Sequence, residues 1–320
     1  MPFNMDSTFL STPVALFLFK RPEQTRRVFE VIRQARPERL FVIADGPRTE
    51  DERAMCNQTR AIIDGVDWPC ELVTNYADSN LGLRVRLSTG ISWVFEQVED
   101  AIILEDDCLP HPTFFRFCRE LLERYREEPQ VMHIGGLFYV QRRSSDESYY
   151  FTKYPHVSGW ATWRRAWQYY DRNLETWADP AVRQRFLQTF DQPAERRFWR
   201  STIDKTRRGE INTWDYQWTY SVISHGGLCI NPTVNLVKNL GLVEGATHVI
   251  SADHPITNLD QQEMKFPLRA PSTFEVDREA DQQVARINFQ ASPAWKSFAR
   301  SMAVSVLGER MVRKIRQSQI

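Results

Sequence analysis

The sequence predicts an α/β protein built on a mainly parallel central sheet flanked by helices. Three observations carry that prediction. Residues 13–19 (Pro-Val-Ala-Leu-Phe-Leu-Phe) and 40–44 (Leu-Phe-Val-Ile-Ala) are continuous apolar runs, the pattern of strands covered on both faces. Helix-period segments separate these runs, as in successive βα units. Polar and charged groups collect where the runs end, which is where parallel sheets bind ligands.

The run at 13–19 is followed by Lys20-Arg21-Pro22, with proline at a first helical position, and then by Thr25, Val28, Phe29 and Ile32 at helical spacing. The run at 40–44 closes on Asp45-Gly46-Pro47 and leads to a polar helix at 49–64. Residues 71–75 give a short third strand. Asn80-Leu81-Gly82 opens a helix with Leu87, Ile91, Phe95 and Val98 on one face. Residues 101–104 form the fourth strand, which ends on Glu105-Asp106-Asp107. Phe114, Phe115, Cys118, Leu121, Leu122 and Tyr125 mark an amphipathic helix, and 131–135 a strand ending in Gly135-Gly136. From about residue 140 the alternation stops. Seven of the ten tryptophans then fall between Trp160 and Trp218. A strand pair is expected within 228–237, loop over 251–290, and a basic amphipathic helix over 293–320, where Lys296, Arg300, Arg310, Arg313, Lys314 and Arg316 face one acid, Glu309.

Composition narrows the function. In 320 residues, 41 Lys and Arg balance 41 Asp and Glu, so no overall field draws the protein to nucleic acid. Its five cysteines, Cys56, Cys70, Cys108, Cys118 and Cys229, match no zinc or disulfide spacing. No secretory signal and no apolar stretch of bilayer length is read. A cytoplasmic protein with reduced thiols is expected.

The acids after the fourth strand need a partner. Three consecutive carboxylates repel one another unless a cation lies among them. A hard divalent ion with oxygen ligands, Mn2+ or Mg2+, is the natural one. Lys20, Arg21, Arg84 and Arg86 offer positive charge for a diphosphate, and Asp45 shares the same sheet edge. The competing reading is a solvated acidic turn helped by the dipole of the next helix.

Ile-Ile-Leu-Glu-Asp-Asp-Cys-Leu-Pro at 102–110, followed by Phe114-Phe115, resembles the acidic metal-binding motif of GT-A glycosyltransferases. The likeness is to bacterial family-2-like enzymes and, more distantly, to mannoside N-acetylglucosaminyltransferases. Phe19-Lys20-Arg21-Pro22, Ala44-Asp45-Gly46 and Asn80-Leu81-Gly82 agree with it. So, more loosely, do Gly159 to Trp163 and Asn235 to His248. The motif departs from the commoner Asp-X-Asp form. The resemblance implies a GT-A (Rossmann-like) fold and transfer of a sugar from a nucleoside-diphosphate sugar donor to a glycan or lipid-linked acceptor, as in polysaccharide biosynthesis. Asp107 would ligate the metal. Asp106 would meet the ribose or metal-bound water, Glu105 the donor sugar or ribose, and Asp45 the nucleoside. His248 would join the metal shell from a loop, with Asn239 and Gly241, that closes over the donor. Residues 1–138 would form the donor half, 139–250 the acceptor half of the same domain, and 251–320 an extension.

An acceptor needs surfaces for sugar faces, which tryptophan rings supply. Gly159, Trp160 and Trp214 are the acceptor candidates, whereas Trp163 and Trp167 suit the core. An inverting transferase needs a base for the acceptor hydroxyl. Asp215, in Thr213-Trp214-Asp215-Tyr216-Gln217-Trp218, is the candidate, ahead of Asp204 and Glu210. Its alternative is a helix N-terminal acid. The basic tail suits either peripheral contact with the inner face of the cytoplasmic membrane or packing on the domain. Two other functions compete with glycosyl transfer. A sugar nucleotidyltransferase would want a glycine-rich loop after the first strand, and Phe19-Lys20-Arg21-Pro22 has no glycine. A carbohydrate- or nucleotide-binding protein without turnover would not need the acids.

Overall fold

The computed structural model describes residues 9–141, 146–241 and 255–289. Strands β1 (Val14–Leu18), β2 (Arg39–Ala44), β3 (Glu71–Tyr76) and β4 (Asp100–Glu105) alternate with helices α1 (Pro22–Ala35), α2 (Glu50–Ala61) and α3 (Leu83–Phe95). β1 lies between β2 and β4, β3 lies beyond β2, and all four run parallel. Every residue of β1 is buried, because helices cover both faces of the sheet. Val14, Leu16 and Leu18 pack toward α1. Ala15 and Phe17 pack toward α3. In α1, Pro22 occupies the first helical position, and Thr25, Val28, Phe29 and Ile32 are its buried face. These are the residues whose spacing predicts the helix.

A short strand, β5 (Cys108–Pro110), and helix α4 (Thr113–Arg124) follow the acids. The second half of the chain completes the same sheet. β6 (Val131–Gly135), β7 (Tyr149–Thr152), β8 (Trp160–Trp163) and β9 (Leu228–Pro232) extend it to eight strands in the order β3-β2-β1-β4-β8-β6-β9-β7. β8 is antiparallel to β4 and to β6, so it joins the two halves. Helices α5 (Arg164–Trp167), α6 (Pro180–Gln188), α7 (Pro193–Arg207) and α8 (Asp215–Ser224) carry the aromatic region.

Two expectations for this half are corrected. Residues 228–237 do not pair with each other. β9 joins β6 and β7, whereas β10 (Val237–Asn239) pairs with β5 in a separate antiparallel ribbon. Within 251–290, helix α9 (Arg278–Phe289) replaces the expected loop. α9 is anchored through Asp281, 5% exposed, which accepts from Thr152 Oγ1 and from the Lys153 amide. The tail at 293–320 and its membrane reading lie outside the described residues. Among those described, no helix is long and apolar enough to cross a membrane. All five cysteines are free.

Burial pushes the Asp281 carboxyl from its ordinary 3.8 up to about 7. The folded chain therefore holds a proton that the unfolded chain has already lost between those values. Stability from this group is greatest near pH 4 and falls as pH rises to 7, by up to ~4 kcal/mol. Asp281→Asn, which cannot ionise, is expected to flatten that slope in urea melts run from pH 4 to pH 8.

Candidate functional site

The carboxyl ends of β1, β2 and β4 meet at one sheet edge. Glu105 is the last residue of β4, and Asp106 and Asp107 form the turn into β5. The β5–β10 ribbon holds that turn. Cys108 lies opposite Asn239, and the Leu240 amide donates to the Asp107 carbonyl at 2.7 Å. Gly241 lies so close that an added Cβ would stand 2.2 Å from Asp107 Oδ2. The segment expected to close over the site thus leaves β10 directly beside the last acid. His248 lies outside the described residues.

Arg21, just before α1, reaches into the acids. Its Nη1 donates to Asp106 Oδ1 at 3.0 Å and to Asp107 Oδ2 at 2.5 Å. Burial alone would lower the Arg21 pKa, but the charges of Asp106 and Asp107 raise it overall. Asp106 Oδ2 also accepts the Phe19 amide at 3.0 Å, which ties β4 to the end of β1. Burial and the neighbouring Asp107 push the Asp106 carboxyl up to about 6, against the pull of Arg21. Glu105 accepts no hydrogen bond among the described residues. Burial, then Asp107, Asp106 and Asp215, raise it well above the ordinary carboxylate range, with Arg21 opposing.

That list of charges brings Asp215 to the acids. Asp215 is the first residue of α8, the helix N-terminal position read as its alternative, and it accepts from Thr213 Oγ1. Its charge is nevertheless felt by Glu105. A carboxyl group from the second half of the chain thus adds its charge to the acidic cluster of Glu105, Asp106, Asp107 and Arg21.

Four other candidates are engaged differently from expectation. Asp45, 6% exposed, is a clamp. Its carboxylate accepts from the amides of Gly46, Leu81 and Gly82 and from Asn80 Nδ2 at 2.8–3.0 Å. Both oxygens are thus committed to the 80–82 loop and not open to a nucleoside. Lys20 pairs with Glu52 of α2 at 2.6 Å, which also binds Arg48. Glu52 had no signal in the sequence, because its partners lie in two separate loops. Arg84 donates to the Arg172 carbonyl at 2.6 Å. Arg86 is buried and donates to the carbonyl and side chain of Asn75. Of the four cations Lys20, Arg21, Arg84 and Arg86, Arg21 is the one that contacts the acids at 105–107.

The acceptor candidates are also corrected. Trp160, 1% exposed, stacks 5.1 Å from His133 and 5.7 Å from Trp214. Trp214 is 3% exposed. Both faces of the Trp160 ring meet protein, so neither is presented to a sugar. Trp163 and Trp167 are core, as expected. Gly159 has a packing role. Its φ is +68°, and an added Cβ would meet Val237 Cγ2 of β10 at 2.7 Å. Gly159→Ala combines backbone strain with overpacking under the acidic turn, and is expected to cost ~2–4 kcal/mol in chemical denaturation.

Carboxylate oxygens are the donors a hard divalent ion requires, and Asp107 fits that role best. Its side chain is 14% exposed, and its Oδ1 has only a 3.6 Å contact from the Cys108 thiol. Among the described residues, no three His, Cys, Asp or Glu side chains gather as a complete metal shell. An ion here would share substrate and water oxygens with Asp107.

No family model and no curated protein matches the chain. Solved structures do. A UDP-glucose pyrophosphorylase complexed with UDP-glucose is 12% identical with a TM-score of 0.32, over 69% of this chain and 90% of that one. An apo UDP-glucose pyrophosphorylase is 11% identical with a TM-score of 0.36, over 71% and 93%. A 4-diphosphocytidyl-2C-methyl-D-erythritol synthase from Anaerococcus prevotii DSM 20548 is 8% identical with a TM-score of 0.32, over 53% and 77%. Likeness at that level assigns neither activity nor substrate to this chain.

Proposed function

We propose that this protein is a metal-dependent nucleotide-sugar transferase, and that it moves a sugar from a nucleoside diphosphate to a glycan or lipid-linked acceptor with inversion. One observation carries the reading. Arg21 bridges Asp106 and Asp107 at the carboxyl end of β4 and leaves Asp107 Oδ1 with only a 3.6 Å thiol contact, while the charge of Asp215 on α8 acts on Glu105 beside them. Asp107 would hold Mn2+ or Mg2+, which when bound neutralises the charge of a diphosphate leaving group. Arg21, already shared between two carboxylates, supports the same phosphates through its remaining donors. Asp215 accepts the proton of the acceptor hydroxyl as that oxygen attacks the anomeric carbon. Glu105 hydrogen-bonds a sugar or ribose hydroxyl. Asp45 acts indirectly, by fixing the 80–82 loop at the site's margin.

Sugar nucleotidyl transfer is the second reading, and the solved structures named above make it the rival to test. The first turn, Phe19-Lys20-Arg21-Pro22, still lacks a glycine-rich phosphate loop. The two separate by product. A panel of nucleotide sugars is incubated with protein and Mn2+, with and without pyrophosphate. Glycosyl transfer releases nucleoside diphosphate, slowly to water when no acceptor is present. Nucleotidyl transfer forms nucleoside triphosphate only with pyrophosphate. Neither product from any donor would overturn both readings.

A further inference from the structure

A cavity of about 750 Å3 opens between the end of β7, the turn joining α6 to α7, and α9. None of the acids at 105–107 lines it, nor does Asp215. Two buried carboxyl groups do: Glu195, 4% exposed, and Asp281, 5% exposed. Glu195 Oε1 accepts from the Tyr154 hydroxyl, which leaves Oε2 without a donor among the described residues. Burial raises both carboxyls above their ordinary range.

The rim carries more positive than negative charge, with Asp191 as its exposed acid. Arg197, Arg278 and Arg286 are exposed and form no ion pair among the described residues. Lys153 Nζ sits 5.2 Å over the Tyr154 ring. The half-buried Phe289 packs on the buried Tyr154 ring, with centroids 5.4 Å apart.

We propose that this cavity binds an anionic saccharide, a hydroxylated ring carrying one phosphate or carboxylate. The volume suits one or two sugar rings. Ring hydroxyls donate as well as accept, and Glu195 Oε2, which has no donor of its own among the described residues, is an acceptor for one of them. The half-buried Phe289 ring gives an apolar edge for a sugar CH face. The unpaired guanidinium groups match a pair of oxygens of a phosphate or carboxylate. A neutral sugar would leave that charge unused, and a cationic ligand would be repelled. The inference does not depend on the transferase reading.

The test is calorimetric, on the full chain. Glucose 6-phosphate, galacturonic acid, glucose and inorganic phosphate are titrated separately into wild type, the Arg278→Gln/Arg286→Gln double variant and Asp107→Asn. At least one anionic sugar is expected to bind tenfold or more tightly than glucose and than inorganic phosphate. Which one does so identifies the anionic group. The double variant should weaken that binding at least tenfold with an unchanged melting temperature, since both arginines are exposed. Asp107→Asn should leave it intact. Undiminished binding in the double variant, loss of binding in Asp107→Asn, equal binding of inorganic phosphate, or no binding of either anionic sugar would overturn the proposal.

Discussion

Asp107→Asn is expected to reduce release of nucleoside diphosphate from the preferred donor at least ~100-fold, a loss of ~3 kcal/mol or more in transition-state stabilisation. The substitution keeps the shape of the side chain and removes its charge. The Leu240 amide bond to the Asp107 carbonyl is untouched, and Arg21 keeps Asp106 as a partner. The fold should therefore persist, with a melting temperature within a few degrees of wild type. Donor hydrolysis measured beside a thermal melt checks both halves. A fully active variant would return the acids to the status of a solvated turn. A variant that unfolds would make Asp107 a structural residue.

Asp45→Ala is expected to act on stability first. The carboxylate satisfies three backbone amides and one side-chain amide, and it lies in a buried position. Removing it leaves several donors short of a partner at once and frees the 80–82 loop from the end of β2. A loss of ~3–5 kcal/mol in denaturant melts follows from orphaned, charge-assisted bonds. Asp45→Asn should recover only part of that loss, because its NH2 group faces donors. If Asp45→Ala melted like wild type and lost only nucleotide affinity, the residue would be a nucleoside contact and the clamp would be wrong.

Residues 13–135 were legible because the local pattern matches its final environment. β1 is apolar and buried throughout, as are residues 40–44 of β2 and 101–104 of β4. The burial of α1 follows its 3.6-residue period. The second half was harder because its order is set by distant partners. β10 meets β5 more than a hundred residues earlier in the chain. α9 buries Ala280, Asp281, Val284 and Ala285, small residues and an acid that make a weak hydrophobic stripe. At the site, Glu105-Asp106-Asp107 and Arg21 could be placed together because all lie at ends of adjacent parallel strands. Their pairings could not, since a strand-end acid such as Asp45 serves a ligand or a loop with equal ease. Trp160 shows the same limit. A tryptophan beside glycine suits a sugar face or another tryptophan, and here the partners are His133 and Trp214.

The central claim is that the acidic turn is a donor site. The most direct measurement is a calorimetric titration of wild-type protein with nucleoside diphosphates, first with Mn2+ and then with a chelator. The account predicts micromolar to low-millimolar binding of one nucleoside diphosphate with the metal, weakened at least tenfold without it. Binding that ignores the metal, or no binding of any nucleoside diphosphate in its presence, would contradict it.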